Sequence, residues 1–181
     1  MSNQPRVVKV LAALLVSMTT GAIVLMALSG RPPQAGPFSL ASYIGLTPIA
    51  ESLPSRAAQQ PGRWRSIEVY FSGTAAGNIE QLASLSGLAD KEDLDCHFIV
   101  CNGAGGDNGQ VLATAKWQRQ WSIIPNRAWN GPSQAIRICV IADGTNTPPT
   151  EYQIQRTYTL IEKLSQKFSI NAKAICYPEN W

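Results

Sequence analysis

The stretch 135–143, AIRICVIAD, is apolar at almost every position. A half-exposed strand alternates polar and apolar residues, whereas a strand with no such alternation is buried on both faces. A segment like this belongs in the middle of a sheet, with a further layer packed on each side. The next segment supplies such a layer. In NTPPTEYQIQRTYTLIEKLSQKFSI, Thr150 and Gln153 have the spacing of a capping box, and Ile154, Tyr158, Ile161, Leu164 and Phe168 recur as one apolar stripe.

The remaining elements fit around this pair. In IEVYFSGT, Ile67, Val69 and Phe71 alternate with Glu68, Tyr70 and Ser72, which predicts a strand over 67–72 ending in a tight polar turn. AGNIEQLASLSGL has Asn78 as N-cap and Ile79, Leu82 and Leu85 at helical spacing. DCHFIVCNGAGGDNGQVLA reads as strand 96–101, a Gly/Asn/Asp loop and a short strand 110–113. KAICY predicts a last strand. The order strand, helix, strands, helix, strand predicts an α/β fold: a single domain with a central mixed β-sheet flanked by helices.

Ahead of that domain lie nineteen residues, Val10 to Leu28, without a charge, with Arg6 and Lys9 before them. That is about the length of a membrane-spanning helix, and the basic flank keeps the N-terminus inside. The expectation is an anchor within residues 1–30, a Pro-rich linker over 31–62 and the domain over 63–181. The stretch LASYIGLTPIAESL within the linker can dock or form a short helix. A cleaved signal peptide is the alternative, with small residues at Ala27 and Ser29. Outside residues 1–30, 13 basic residues face 12 acidic ones, and no basic stripe interleaved with aromatics occurs. Nucleic acid is therefore excluded as a partner.

Little in the chain reads as a catalytic cluster. His97 is the single histidine. In CHFIVC it shares a strand face with Cys101 but stands roughly 13 Å away at about 3.3 Å per residue, and Cys96 points to the other face. No two of these hold one metal from a regular strand, and His97 reads as a hydrogen-bonded, half-buried residue. The four cysteines, 96, 101, 139 and 176, lie in apolar surroundings and read as small buried hydrophobes, with pairing open to an exported domain. GAGGDNG lacks the Lys-Ser/Thr of a phosphate loop and reads as a turn. WQRQW, 117–121, is either an aromatic ligand platform or sheet-edge packing.

Taken in order, these segments resemble the zinc-dependent N-acetylmuramoyl-L-alanine amidases, a family that includes phage amidases and peptidoglycan recognition proteins. IEVYFSGT is similar to the family's I-V-I-H-H-S-A-T strand and DCHFIVCNG to G-Y-H-F-V-I-G-N-G. DNGQV resembles the turn with D-G-x-I, AIRICVIAD resembles G-I-G-I-C-L-V-G-D, PPTEYQ resembles the helix opening P-P-T-x-x-Q, and KFSI stands at the helix end. The similarity spans about residues 63–176. It implies that the first zinc histidine falls on Tyr70 and the assisting tyrosine on Cys96. The second zinc histidine has no counterpart in AICYPENW, and the G-A-H histidine is missing from WSIIPNRAW. Cys176 fits the strand ahead of the remaining ligand better than the ligand itself, and Arg137 replaces a glycine, filling the groove.

The resemblance thus implies a degenerate member: no zinc and no other cofactor, and no confident catalytic residue. It implies a pseudoenzyme facing the cell wall that binds peptidoglycan, a muropeptide or a protein partner. It is held at the bacterial cytoplasmic membrane through residues 10–28, or is secreted or periplasmic if the leader is cleaved. Candidate binding residues are Ser72, Thr74, Asn102, Trp117 and Trp121. The alternative is an active cell-wall amide hydrolase with a non-standard site drawn from Cys96, His97 and Asp143. A purely structural membrane-attached domain is the third reading.

Overall fold

The computed structural model describes residues 8–12, 14–20, 48–124 and 129–181. The chain divides into two units, Met1–Ser42 and Tyr43–Trp181. In the first, residues 8–12 and 14–20 are helical and exposed, and the Thr19 and Thr20 hydroxyls donate to the carbonyls of Leu15 and Val16 one turn back. Among the described residues no helix is long and apolar enough to cross a membrane. The expected span of 10–28 falls only partly on them: positions 13 and 21–28 lie outside the described residues, as do 31–47 of the expected linker.

In the second unit, a short helix α1 (Ile49–Ser52) leads into strand β1 (Ser66–Phe71). Helix α2 (Ile79–Leu85) follows, then a 3₁₀ turn (Lys91–Asp93), strands β2 (Phe98–Val100) and β3 (Val111–Ala113), and helix α3 (Ala115–Gln118). Strand β4 (Ala135–Val140), the long helix α4 (Glu151–Phe168) and strand β5 (Ile175–Cys176) complete it. The five strands form one sheet in the order β3-β2-β4-β1-β5. All neighbours are parallel except β3, which runs antiparallel to β2. The expected mixed α/β sheet is therefore present, and β4 sits at its centre with all six residues buried.

Each face has its own core. On one, Ile67, Val69, Phe98, Ile136, Ile138 and Val140 meet Leu160, Leu164 and Phe168 of α4, with Trp64 and Trp117. Burying one such side chain stabilises the fold by about 1.5–3 kcal/mol, so this face carries much of the stability. Ile49 and Leu53 are buried in the same core, so the packed unit takes in residues ahead of the expected boundary at 63. Their seat is fixed by polar bonds: Ser52 donates to the Val111 carbonyl, and the Trp117 indole donates to the Leu53 carbonyl. On the other face, Ile99, Cys101, Cys139 and Ile141 pack against Leu82 and Ala83 of α2 and against Leu94 and Cys96.

Helix α4 begins at the expected capping box, with both reciprocal bonds between Thr150 and Gln153 formed. Its buried stripe is rotated from the expected one. Gln153, Arg156, Thr157, Leu160, Ile161, Leu164 and Phe168 face inward, Ile154 is only half-buried and Tyr158 is 47% exposed. The reason lies in Gln153. Its side-chain amide donates to the carbonyls of Val100 and Ile141, which lie at the ends of β2 and β4. A buried amide with its bonds made costs little, and these bonds turn the helix so that Gln153 points down.

Candidate functional site

The second face of the sheet carries the unusual chemistry. Parallel pairing places Glu68 of β1 beside Arg137 of β4, and Tyr70 beside Cys139. Arg137 is the hub. Its side chain is 6% exposed, and its Nε donates to Glu68 Oε2 at 3.0 Å. Its Nη1 donates to the Asp95 carbonyl at 2.7 Å. The guanidinium carbon lies 4.1 Å from the Tyr70 ring centroid and 4.6 Å from that of Trp129. The cation is held over two aromatic faces and neutralised by one carboxylate, which is how a buried charge avoids the desolvation penalty. The Tyr70 hydroxyl donates to the same Asp95 carbonyl.

Behind Tyr70 sit two thiols. The Cys139 thiol packs in the same core as Cys96, with Tyr70 against it. The neighbouring Cys96 thiol and burial together push the Cys139 thiol well above its ordinary range. Burial, reinforced by the neighbouring thiols and opposed by Arg137, raises the Tyr70 phenol well above 10. The Tyr70 phenol and the Cys139 thiol are therefore neutral at physiological pH, so neither a phenolate ligand nor a Cys139 thiolate is present.

His97 is fully buried, rather than half-buried as expected, and both its ring nitrogens are used. Nε2 donates to the Trp121 carbonyl, which leaves Nδ1 to accept the Arg137 backbone N–H, each at 2.9 Å. Its ring stands edge-on to Trp64 at 4.8 Å. Burial lowers its pKa to about 4, only partly offset by the Trp121 carbonyl and deepened by Arg137, Lys116 and Arg63. This histidine ties the lead-in of β2 to β4 and has no free nitrogen to offer a substrate.

Asp143 is spent on a turn. Its Oδ1 accepts the backbone N–H of Thr145 and of Thr147, and these bonds hold its carboxyl below the ordinary range. The structure thus does not assemble Cys96, His97 and Asp143 into one site. Cys96 packs in the core with Leu82 and Cys139, and His97 lies against Trp64 and Trp117, which pack in the other core.

The binding candidates separate likewise. Ser72 Oγ bonds Thr74 Oγ1 at 2.8 Å and accepts the Ala142 N–H, so this pair shapes the end of β1. The Asn102 amide donates to the Ala75 carbonyl, the Gly77 N–H to the Ala104 carbonyl, and the Asn78 amide to the Gly105 carbonyl. These bonds lace the loop after β1 to the loop after β2. They run so close that a Cβ on Gly105, already at φ +114°, would come 3.0 Å from the Gly77 carbonyl carbon. Trp117 is a correction to the platform reading: it is fully buried, 4.5 Å from Phe98. Trp121 alone of that pair is open, 50% exposed, with the Arg119 guanidinium over its ring.

The family's zinc does not fit these residues. A metal needs three or four lone-pair donors and, for catalysis, one open position. Tyr70 donates its proton to a carbonyl, Cys139 is buried behind it, and the adjacent space is filled by a fixed cation that would repel a second. Among the described residues no group of three His, Cys, Asp or Glu side chains converges to hold a metal. Cys176 lies in β5 beside Glu68 and is exposed, in the strand position the resemblance assigned it. Glu68 and Cys139 were not foreseen as members of this group. The alternation of Glu68 and Tyr70 hinted at a polar face, but only strand register brings them to Arg137 and Cys139.

Among solved structures, the complex of the N-acetylmuramyl-L-alanine amidase AmiD from E. coli with the substrate anhydro-N-acetylmuramic acid-L-Ala-D-gamma-Glu-L-Lys is similar to this chain at 17% identity and a TM-score of 0.46. The match covers 67% of this chain and 51% of that one, so this chain spans about half the length of that amidase. No family model matches the sequence, and neither does any curated protein.

Proposed function

We propose that this chain is an amidase-like pseudoenzyme, which binds peptidoglycan or its muropeptide fragments on the outer side of a bacterial cytoplasmic membrane and does not cleave them. The ordered motifs from IEVYFSGT to KFSI support the amidase part of this reading, and the uncharged run after Arg6 and Lys9 supports the membrane part.

The observation that carries the loss of catalysis is the Arg137 guanidinium fixed between Tyr70, Trp129 and Glu68. Amide hydrolysis of the family type uses a metal to polarise the carbonyl and to generate hydroxide near neutral pH. A neutral phenol beside a fixed guanidinium supplies neither, and each 1.4 kcal/mol or so of lost transition-state stabilisation costs about tenfold in rate. Recognition is separable from this chemistry, because loops and pocket walls do the binding. Here the laced loops 72–77 and 102–109 and the exposed Trp121 form the surfaces available for it. The alternative hydrolase built on Cys96, His97 and Asp143 is disfavoured, since both His97 nitrogens are committed and Asp143 closes its own turn.

The test incubates the full-length chain with insoluble peptidoglycan, with and without added zinc, and follows both sedimentation and soluble products. Co-sedimentation without release of free stem peptides is the expected result. Release of stem peptides overturns the pseudoenzyme reading, and a protein that stays in the supernatant overturns the binding one.

A further inference from the structure

A cavity of about 260 Å³ has no residue in common with the Tyr70–Arg137 group. Four segments distant in sequence build it. Arg56 comes from the stretch before β1, and Ile79 and Glu80 from the first turn of α2. Lys91 and Glu92 come from the 3₁₀ turn, and Ala113, Ala115 and Arg119 from β3 and α3.

The charges around it do not cancel. Lys91 pairs with Glu80 at 3.2 Å. Arg119 grips Glu92 through two bonds, at 2.5 and 2.8 Å. Arg56 is exposed and has no hydrogen-bond or ion-pair partner among the described residues. One guanidinium is left over, beside an apolar floor of Ile79, Ala113 and Ala115.

That combination selects a class of ligand. A guanidinium holds a planar carboxylate through two parallel N–H bonds. A single surplus positive charge matches a monoanion, whereas a phosphate dianion would place its excess negative charge near Glu80 and Glu92. Drug-sized ligands occupy cavities of roughly 300–1,000 Å³, so this smaller one suits a molecule the size of an acylated amino acid. We propose that the cavity is a binding site for a small aliphatic monocarboxylate anchored by Arg56. The proposal is independent of wall binding, and its failure would leave the function proposed above untouched.

The test titrates the full-length chain with N-acetyl-alanine by calorimetry, with its neutral amide and inorganic phosphate as comparison probes. Arg56→Gln should leave thermal stability unchanged, because the exposed Arg56 side chain makes no hydrogen bond or ion pair among the described residues, while weakening N-acetyl-alanine by about tenfold or more. Arg56→Lys should keep part of the affinity, Arg65→Gln, outside the cavity, all of it, and the amide should not bind. Absence of saturable binding by the wild-type chain overturns the proposal. So does undiminished binding by Arg56→Gln, or binding of the amide or of phosphate as tight as that of N-acetyl-alanine.

Discussion

The guanidinium of Arg137 stands over the ring of Tyr70 on the neighbouring strand, 4.1 Å from its centroid. An organic cation is thereby locked beside the residue that the amidase resemblance aligns with a zinc histidine. The phenol donates to the Asp95 carbonyl, and burial keeps it neutral. The features that make this face unfit for a metal are also ones that stabilise it.

Arg137→Ala should therefore destabilise the chain strongly. It leaves Glu68 half-buried without its partner and opens space between Tyr70 and Trp129. Breaking a buried pair from one side costs about 3–5 kcal/mol, and the 24% exposure of Glu68 puts the expected loss at the low end, about 3 kcal/mol. Urea unfolding measures this, and a loss under about 1 kcal/mol, the level of a surface pair, would mean the stack contributes little.

His97 sets an acid limit on stability. Its folded pKa, about 4, lies below the ordinary 6.5, so below pH 6.5 the unfolded chain takes up a proton that the folded chain refuses. The stabilisation from a neutral His97 is complete above pH 6.5 and is lost as the pH falls through 4, to a total of about 3 kcal/mol. Unfolding free energies between pH 7 and pH 4 should follow this slope. A His97→Gln variant, though less stable, should lose that part of it; an unchanged pH profile in the variant would refute the assignment.

The cysteines should divide one against three. Cys176 is exposed, whereas Cys96, Cys101 and Cys139 are buried, with burial and the nearby Asp107 raising Cys101 to about 11. Reactivity follows thiolate fraction and access. A thiol reagent should label one cysteine quickly in the native protein, identified as Cys176 by peptide mapping, and all four after denaturation under reducing conditions. Rapid native labelling of Cys139 would contradict the packing around Tyr70.

Zinc offers the sharpest contrast with the family. Elemental analysis after incubation with zinc and gel filtration should find no stoichiometric metal, and thermal stability should not rise with zinc. One tightly held zinc per chain would require three or four converging donors and an open site, which the described residues around Tyr70 and Arg137 do not offer.

Local patterns in the sequence determined the central strand and the starts of α2 and α4, but not α3, which begins the stretch read as an aromatic platform or sheet edge. The apolar run 135–143 required a central strand, Thr150 and Gln153 marked the start of α4, and Asn78 marked that of α2. These features depend on neighbours a few residues apart, so they are legible without the fold. Tertiary structure decided everything that depends on register and on competition for partners. Strand pairing, set across about 70 residues of sequence, put Glu68 against Arg137 and Tyr70 against Cys139. The burial of Trp117 and the docking of Ile49 and Leu53 came from filling one core, and no local period records which apolar side chain will be needed for that. His97 became a strut because two backbone groups, from residues 24 and 40 positions away, claimed its nitrogens first. A polar side chain's role follows from which partners reach it, and that is a property of the packed molecule.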